Sequence, residues 1–423
     1  MNNFLNKILN NEIVRNSSVL LSGNFIGQAI AFAVYPILTR LYSESDFGVF
    51  ATYASICTFL AVVGTLRYEE SLVIAETDDE KNKLFSFSFR FLISFSFLLF
   101  VVLLFFGKSV LSFFKFEKIS DFWVYIPFHV LFTGSIALLT NLAIREKKFK
   151  KIASAGVIQN TTNAGSRVAF GSFGLTKMGL IISNVIALFA AASFLFPIRK
   201  SASSKSSLPD ETHTALKYRD FPLYNGARSA ISQVSSNLPF LYLIGFFDTG
   251  ILGVFSLAFI VLTTPVNLII NSLFTTFFEK LSSLHKQNEV IIPIIKKYWK
   301  SLCYYILPLF VIGFFIAKPV FAFVFGSQWT VAGEYFSYML PWGFMMLIIN
   351  PFYSVFIVFR KQKLFLSIDF LYLLIRFIAL FVGVKMDDFK LCIILFTLAG
   401  IVFSLIYLII INHILQKYEK NRI

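Results

Sequence analysis

Four arginines lie inside long apolar stretches of the chain, at positions 90, 167, 228 and 376. A guanidinium stays charged at physiological pH and can hold a phosphate or carboxylate through two parallel hydrogen bonds. Within an apolar segment it needs an anion, a hydrated cavity or a route for its head group to the membrane surface. The four positions therefore suggest chemistry that holds an anion, such as a diphosphate or an acidic sugar.

The surroundings of these arginines differ. Arg167 and Arg228 belong to polar stripes and are the best candidates for holding an anionic ligand. Arg90 lies about two turns from the inner end of its apolar segment, so snorkelling explains it as well as ligand binding does. Arg376 follows Asp369 by seven residues on the same helical face, roughly 10 Å by helix rise, which favours stabilisation through water over direct pairing.

The composition places the protein in a membrane. Of 423 residues, 57% are hydrophobic and only 14% are charged, which excludes a soluble globular protein. The four histidines have no zinc spacing, the three cysteines have neither metal-ligand nor redox spacing, and no glycine-rich nucleotide loop occurs. We therefore expect no catalytic site, no metal and no cofactor, and leave coupling to H⁺ or Na⁺ open.

Hydropathy predicts an all-α polytopic membrane protein, because about 20 mainly apolar residues are enough to cross the hydrocarbon. Twelve segments meet this length. They lie near residues 17–39, 46–66, 84–107, 122–144, 152–174, 178–198, 221–246, 252–276, 301–323, 336–358, 364–384 and 391–413.

The basic residues predict the orientation of these spans. With the N-terminus inside, the inner segments hold 26 Lys and Arg and the outer segments hold 8. Since cytoplasmic loops carry the excess, both termini are predicted to be cytoplasmic. The longest polar segment, 199–220, is interpreted as a cytoplasmic linker between bundles 1–198 and 221–423.

The two halves share sequence landmarks. PILTRLYSESDFGVFATYA begins at Pro36 and PFLYLIGFFDTGILGVFSLA begins at Pro239, with Gly48 and Gly253 lying 205 positions apart. Pro36 and Pro239 are candidate hinges.

A second pair follows in the same order: Pro127 precedes Arg145 and REKKF, and Pro341 precedes Arg360 and RKQKL. The alternative is chance recurrence in an apolar sequence. The two ordered matches favour two six-helix bundles with pseudo-two-fold symmetry about the membrane normal, and with a cavity between them.

Polar residues recur at helical spacing in several spans. They either line a wet cavity or join neighbouring helices, at about 0.6 kcal/mol each. The candidate substrate-binding residues are Arg228, Arg167, Asn24, Gln28, Asn225, Ser232, Asn267, Asn271, Arg90 and Arg376. Glu69 and Glu70, at the inner end of span two, are a weaker candidate for a proton or cation site.

The segments TRLYSESDFGVFATYAS (39–55), RYEESLVIAETDDEK (67–81) and 220–258 resemble the polysaccharide-transporter branch of the multidrug/oligosaccharidyl-lipid/polysaccharide exporter superfamily, which includes O-antigen (Wzx-type) flippases. The resemblance implies two V-shaped bundles, with spans one, two, seven and eight lining the cavity. It also implies movement of an undecaprenyl-diphosphate-linked oligosaccharide, for O-antigen or capsule, to the outer leaflet. Membrane lipids, a glycan polymerase and glycosyltransferases are the expected partners.

Three other functions compete with this interpretation. A multidrug or cation antiporter of the same superfamily would need embedded carboxylates, whereas the embedded charges here are mainly arginine. An integral-membrane glycan polymerase or glycosyltransferase would need a long outer loop or a cytoplasmic sugar-nucleotide domain. Nucleic-acid binding is disfavoured because the basic residues are spread over seven inner segments.

Overall fold

The computed structural model describes residues 12–202 and 207–420, with side chains described from Phe25 onward. This part of the chain is α-helical and contains no strand. The α-helices, in chain order, are α1 Glu12–Leu41, α2 Glu44–Thr65, α3 Tyr68–Ile74, α4 Asp78–Phe113, α5 Tyr125–Arg145, α6 Phe149–Ser172, α7 Lys177–Leu195, α8 Leu208–Lys217, α9 Ala227–Leu243, α10 Thr249–Lys286, α11 Ile292–Tyr305, α12 Leu307–Phe325, α13 Thr330–Ile349, α14 Ser354–Val358, α15 Gln362–Lys385 and α16 Phe389–Lys420.

Every predicted span falls on a helix, so the prediction of an all-α membrane protein is confirmed. Within the described residues, nine helical segments are long and apolar enough to cross a membrane, so the count of twelve is not reached. Three of the helices that carry predicted spans, α1, α6 and α9, are not in this set. The described side chains of α1, Phe25–Leu41, form an apolar segment that is too short, and α9 has only 17 residues. The polar stripe of α6 lowers the hydropathy of that helix.

The first sequence landmark is matched in local structure. Helices α2 and α10 begin 205 positions apart, at Glu44 and Thr249, directly after the capping residues Ser43 and Asp248. The Ser43 hydroxyl accepts a bond from the Asp46 amide at 3.3 Å, and the Asp248 carboxylate accepts one from the Gly250 amide at 2.7 Å. Because side-chain oxygens satisfy free amides at helix starts, both polar turns fix where a long helix begins.

The second landmark also has a matching structure. Lys147 and Arg360 adopt left-handed backbone conformations, with φ of 55° and 53°. In each case the next amide bonds back to a carbonyl five residues earlier, at 2.8 Å for Lys148 and 2.7 Å for Lys361. The same helix-ending geometry is found at Lys115, Asn288 and Asp387, so it is common to many helix ends and is not specific to this pair. The pseudo-two-fold axis stays a prediction.

The chain forms two compact units, the first ending at Gly245 and the second beginning at Phe246. Each unit has its own apolar core, around Tyr53 and Leu72 in the first and around Phe352 and Tyr407 in the second. Helices α8 and α9 belong to the first unit. The predicted division of the chain into two duplicated bundles, joined by the segment 199–220, stays a prediction.

The segment interpreted as a linker contains a docked helix, α8. Its buried residues, Glu211, Thr214 and Ala215, face the first unit. The Tyr68 hydroxyl donates to the Ala215 carbonyl at 3.1 Å, and Lys217 lies 2.9 Å from a Glu76 oxygen. Contacts on both sides therefore hold α8 against the beginnings of α3 and α4.

Candidate ligand-binding site

Span seven begins with a π-helical turn, Phe221–Gly226, and continues as α9. Asn225 is exposed and donates to a Glu70 carboxylate oxygen at 2.9 Å. Arg228 is half-buried one turn further on, and Ser232 is exposed on the same side. The predicted polar stripe is therefore present and accessible along Arg228 and Ser232, whereas Asn225 is held by a neighbour within the first unit.

The second half of α9 packs against α2. Ser55 donates to the Asn237 side-chain oxygen at 3.1 Å, and Ser235 and Pro239 are buried. The bond between Ser55 and Asn237 joins two helices, as expected for interhelical hydrogen bonds in a membrane protein. The stripe on span seven is thus accessible at its start and buried from Ser235 onward, where Pro239 lies.

Arg167 is only 7% exposed. Its guanidinium carbon lies 4.5 Å from the centre of the Phe50 ring, and its backbone carbonyl accepts a bond from the Tyr42 hydroxyl at 2.7 Å. Burial raises the pKa of Tyr42 to about 12, so this hydroxyl keeps its proton and remains a donor. Arg167 therefore anchors α6 to the α1–α2 corner, and little of its surface is available to a ligand.

Arg376 is enclosed by aromatic rings in the second unit and is 2% exposed. Its guanidinium carbon lies 4.0 Å from the Tyr372 ring centre, 4.2 Å from that of Phe396 and 5.2 Å from that of Trp342. The nearby Asp369 accepts a hydrogen bond from the Tyr407 hydroxyl. Cation–π contacts of this kind stabilise a desolvated cation, and Asp369 adds an electrostatic attraction, so Arg376 organises the core of its unit.

Arg90 is half exposed and reaches across to α8, where it lies 3.5 Å from the fully buried carboxylate of Glu211. The pair joins α4 to the docked helix. A buried carboxylate needs such a partner, so the contact explains Arg90 without a ligand. The sequence suggested snorkelling or ligand binding for Arg90 and did not predict the pair with Glu211.

The second unit presents a polar stripe on α10. Asn267, Asn271 and Thr275 are exposed at successive four-residue intervals, while Val266 and Ile270 are buried on an adjacent side. The Thr275 hydroxyl donates to the Asn271 carbonyl of its own helix at 3.1 Å. Carboxamides turned away from the core of a membrane helix require water or a polar ligand. The binding role of Asn267 and Asn271 stays a prediction.

The candidate residues of span one lie on α1. Gln28 is half-buried on α1, and the side chain of Asn24 lies outside the described residues. A Cβ at Gly27 would come within 2.7 Å of the Asn160 side chain, so α1 and α6 approach closely beside Gln28. Pro36 lies inside α1, as Pro239 lies inside α9, and a hinge role for either stays a prediction.

Glu69 and Glu70, the weaker candidate site in the sequence, form a charged cluster with Arg67 in the structure. Arg67 lies 3.4 Å from Glu69 and 3.5 Å from Glu70, at the turn between α2 and α3. Glu69 is 1% exposed, and burial, partly offset by Arg67, raises its pKa above the usual range. A signal existed in the sequence, since an acidic pair directly beside an arginine at a span end is already a charged cluster.

Solved structures with the same architecture are membrane transporters. The chain matches a lipid II flippase, MurJ, in an inward closed conformation with a TM-score of 0.76 and 14% identity, covering 96% of this chain and 90% of that one. It matches an inward-facing multidrug resistance MATE family transporter of the MOP superfamily with a TM-score of 0.65 and 11% identity, covering 93% and 99%. A MOP superfamily transporter from Pyrococcus furiosus gives 0.59 and 13%, covering 96% of each.

The fold is thus the one found in a MATE family transporter of the MOP superfamily and in a lipid II flippase, as the sequence resemblance implied. Residues 37–334 match the model of a family described as polysaccharide biosynthesis protein, and the chain belongs to that family. No curated protein matches the sequence.

Proposed function

We propose that this protein moves an undecaprenyl-diphosphate-linked oligosaccharide from the inner to the outer leaflet of the bacterial inner membrane by alternating access. The match to a polysaccharide biosynthesis family over residues 37–334 carries the proposal. Two further features support it: the fold shared with a lipid II flippase, and embedded charges that are mainly cationic. The excess of basic residues on inner segments supports cytoplasmic termini.

Two surfaces have the chemistry that such a cargo needs. The half-buried Arg228 of the first unit suits the diphosphate, because a guanidinium pairs bidentately with phosphate oxygens. The exposed Asn267 and Asn271 of the second unit suit sugar hydroxyls, because a carboxamide both donates and accepts. In this proposal Arg167, Arg376 and Arg90 have structural roles. Of the four arginines predicted to bind substrate, Arg228 alone binds the cargo.

A multidrug or cation antiporter is the second candidate, since proteins of that activity share the fold. Binding a cationic drug requires an accessible carboxylate within the membrane. Asp369, the acid well inside a predicted span, accepts a bond from Tyr407 and lies in the same cluster as the enclosed Arg376. This arrangement favours an anionic cargo.

The test is deletion of the gene and complementation with the wild-type or the Arg228→Ala protein. Deletion should abolish the surface glycan and cause lipid-linked repeat units to accumulate in the inner leaflet. Wild-type protein should reverse both effects, and the Arg228→Ala protein should reverse them poorly while inserting normally. Unchanged surface glycan together with increased sensitivity to cationic drugs would instead identify an antiporter.

A further inference from the structure

The Glu69 carboxylate is a buried charge whose role is not explained by cargo binding. One of its oxygens, Oε1, lies 3.4 Å from Arg67. The other, Oε2, is buried and accepts no well-formed hydrogen bond among the described residues, although the Thr65 hydroxyl and the Glu69 amide lie close enough to the carboxylate to offset part of the cost of burial. A carboxylate oxygen in this state costs free energy while it is ionised, and protonation removes that cost.

The same arginine connects Glu69 to span seven. Arg67 also lies 3.5 Å from Glu70, and the second oxygen of Glu70 accepts the bond from Asn225 at 2.9 Å. Glu70 is thus shared between a cation and the π-helical turn Phe221–Gly226. If Arg67 pairs more strongly with Glu70, the hydrogen bond from Asn225 to Glu70 weakens, and the π-helical turn is bound less tightly.

The backbone at this contact is unusual on both sides. Leu66 and Arg67 adopt left-handed conformations, with φ of 50° and 59°. A Cβ at Gly226 would come within 3.3 Å of the Leu66 carbonyl oxygen, so the turn fits closely against these two residues. Left-handed residues and π-helical turns are both less stable than regular helix, and such places often move in function.

We propose that Glu69 is a proton-binding site, and that its protonation releases the start of span seven from the turn between α2 and α3. A proton from cytoplasmic water binds Oε2 of Glu69. Arg67 then has one carboxylate partner instead of two and pairs with Glu70, which weakens the bond from Glu70 to Asn225. This step supplies a proton-dependent change at the predicted cytoplasmic end of the first unit.

The other charged groups around α3 are engaged elsewhere. From α5, Arg145 donates to the Val73 carbonyl at 2.9 Å. From α4, Lys81 pairs with Asp78 and Glu146. From α8, Lys217 pairs with Glu76 and Glu80. Arg67 and Glu70 are therefore the charges that act on Glu69, and the burial that raises its pKa brings the protonation closer to physiological pH.

Hydrogen exchange of the purified full-length protein in lipid nanodiscs, without cargo, tests the proposal. After correction for intrinsic exchange, amides of residues 221–226 should exchange faster as the pH falls from about 8 to about 5.5. If the pKa of Glu69 differs by one unit between the state in which the turn is bound and the state in which it is released, the exchange rate changes about tenfold. Glu69→Gln should remove this pH dependence, and Asn225→Ala should give fast exchange at every pH.

Asp79→Asn is the matched control, because Asp79 is an exposed acid that pairs with Lys83 at 2.7 Å at the same predicted side. It should keep the wild-type response. Exchange that is independent of pH in the wild type, or a normal pH response in Glu69→Gln, would overturn the proposal. Because the readout contains no cargo and no transport, its failure leaves the proposed flippase activity untouched, and failure of that activity leaves this site untouched.

Discussion

Both units bury an arginine, but they present their polar residues differently. Arg167 in the first unit and Arg376 in the second lie against aromatic rings and are almost fully covered. The polar stripe of α9 in the first unit becomes buried at Ser235, whereas the stripe of α10 in the second is exposed at Asn267 and Asn271.

The comparison teaches that charge alone does not mark a ligand site in a membrane helix. A buried arginine surrounded by rings is satisfied by its own fold, since cation–π attraction grows as water is removed. A polar side chain that stays exposed on a helix is not covered by such rings. The following predictions would separate these two groups of residues.

The largest effect is expected for Arg376→Met. It removes contacts with three rings and leaves Asp369 without the nearby positive charge, at a cost of about 3 kcal/mol. Thermal unfolding of the purified protein in detergent should show a clearly lowered midpoint and a reduced folded yield. If this variant unfolds like the wild type, the aromatic enclosure does not stabilise the second unit.

Arg228→Ala should reduce transport without a comparable loss of stability. Losing a charge-assisted hydrogen bond costs about 1.5–3 kcal/mol, or roughly 10- to 100-fold in rate. Export of the surface glycan by the complemented deletion strain measures it, and Arg228→Lys should restore part of the activity.

Arg167→Ala is the matched control, with the opposite expectation of a lowered unfolding midpoint. If Arg228→Ala and Arg167→Ala lose the same transport activity and are equally stable, the two arginines do not have the different roles described here.

Paired replacement of Asn267 and Asn271 by Ala should reduce export about 30-fold, since neutral hydrogen bonds contribute about 1 kcal/mol each. Ile269→Ala, at an exposed position of the same helix but off the stripe, should leave export unchanged. The same export assay measures both. A loss in the Ile269 variant as large as in the Asn variant would indicate general damage to α10.

Arg90→Ala should loosen α8, because Glu211 loses its partner. Since Arg90 is half exposed, water screens the pair and the expected loss is about 1 kcal/mol. Limited proteolysis within 199–220 should be faster, and Glu211→Gln should largely suppress the effect. Independent, additive effects of the two changes would argue against the pairing.

The smallest effect concerns pH. Because the folded pKa of Glu69 lies above the ordinary 4.5, its contribution to stability is fully present below that value. It is lost as the pH rises through the folded pKa. The difference in unfolding midpoint between Glu69→Gln and the wild type should therefore grow in favour of the variant as the pH rises through this window. A difference that does not vary with pH would show that the ionisation of Glu69 is not penalised by folding.

Much of the fold follows from the sequence. Hydropathy located the long helices but not the short α3 and α8. The polar turns at Ser43 and Asp248 marked two helix starts, because capping depends on residues within one turn. The candidate site was less predictable. Helical spacing showed that Arg228 and Ser232 share a face, but the same spacing placed Arg167 on a comparable stripe, and Phe50 covers Arg167 in the folded chain.

The sequence by itself determined that the protein is helical, lies in a membrane and contains duplicated landmarks, since these properties depend on local composition and on backbone bonds within a helix. The tertiary structure alone decided which embedded polar groups are satisfied. Tyr42 meets Arg167 across 125 positions, and Asn225 meets Glu70 across 155. Periodicity fixes the face on which a side chain lies, whereas its partner depends on which helix packs there.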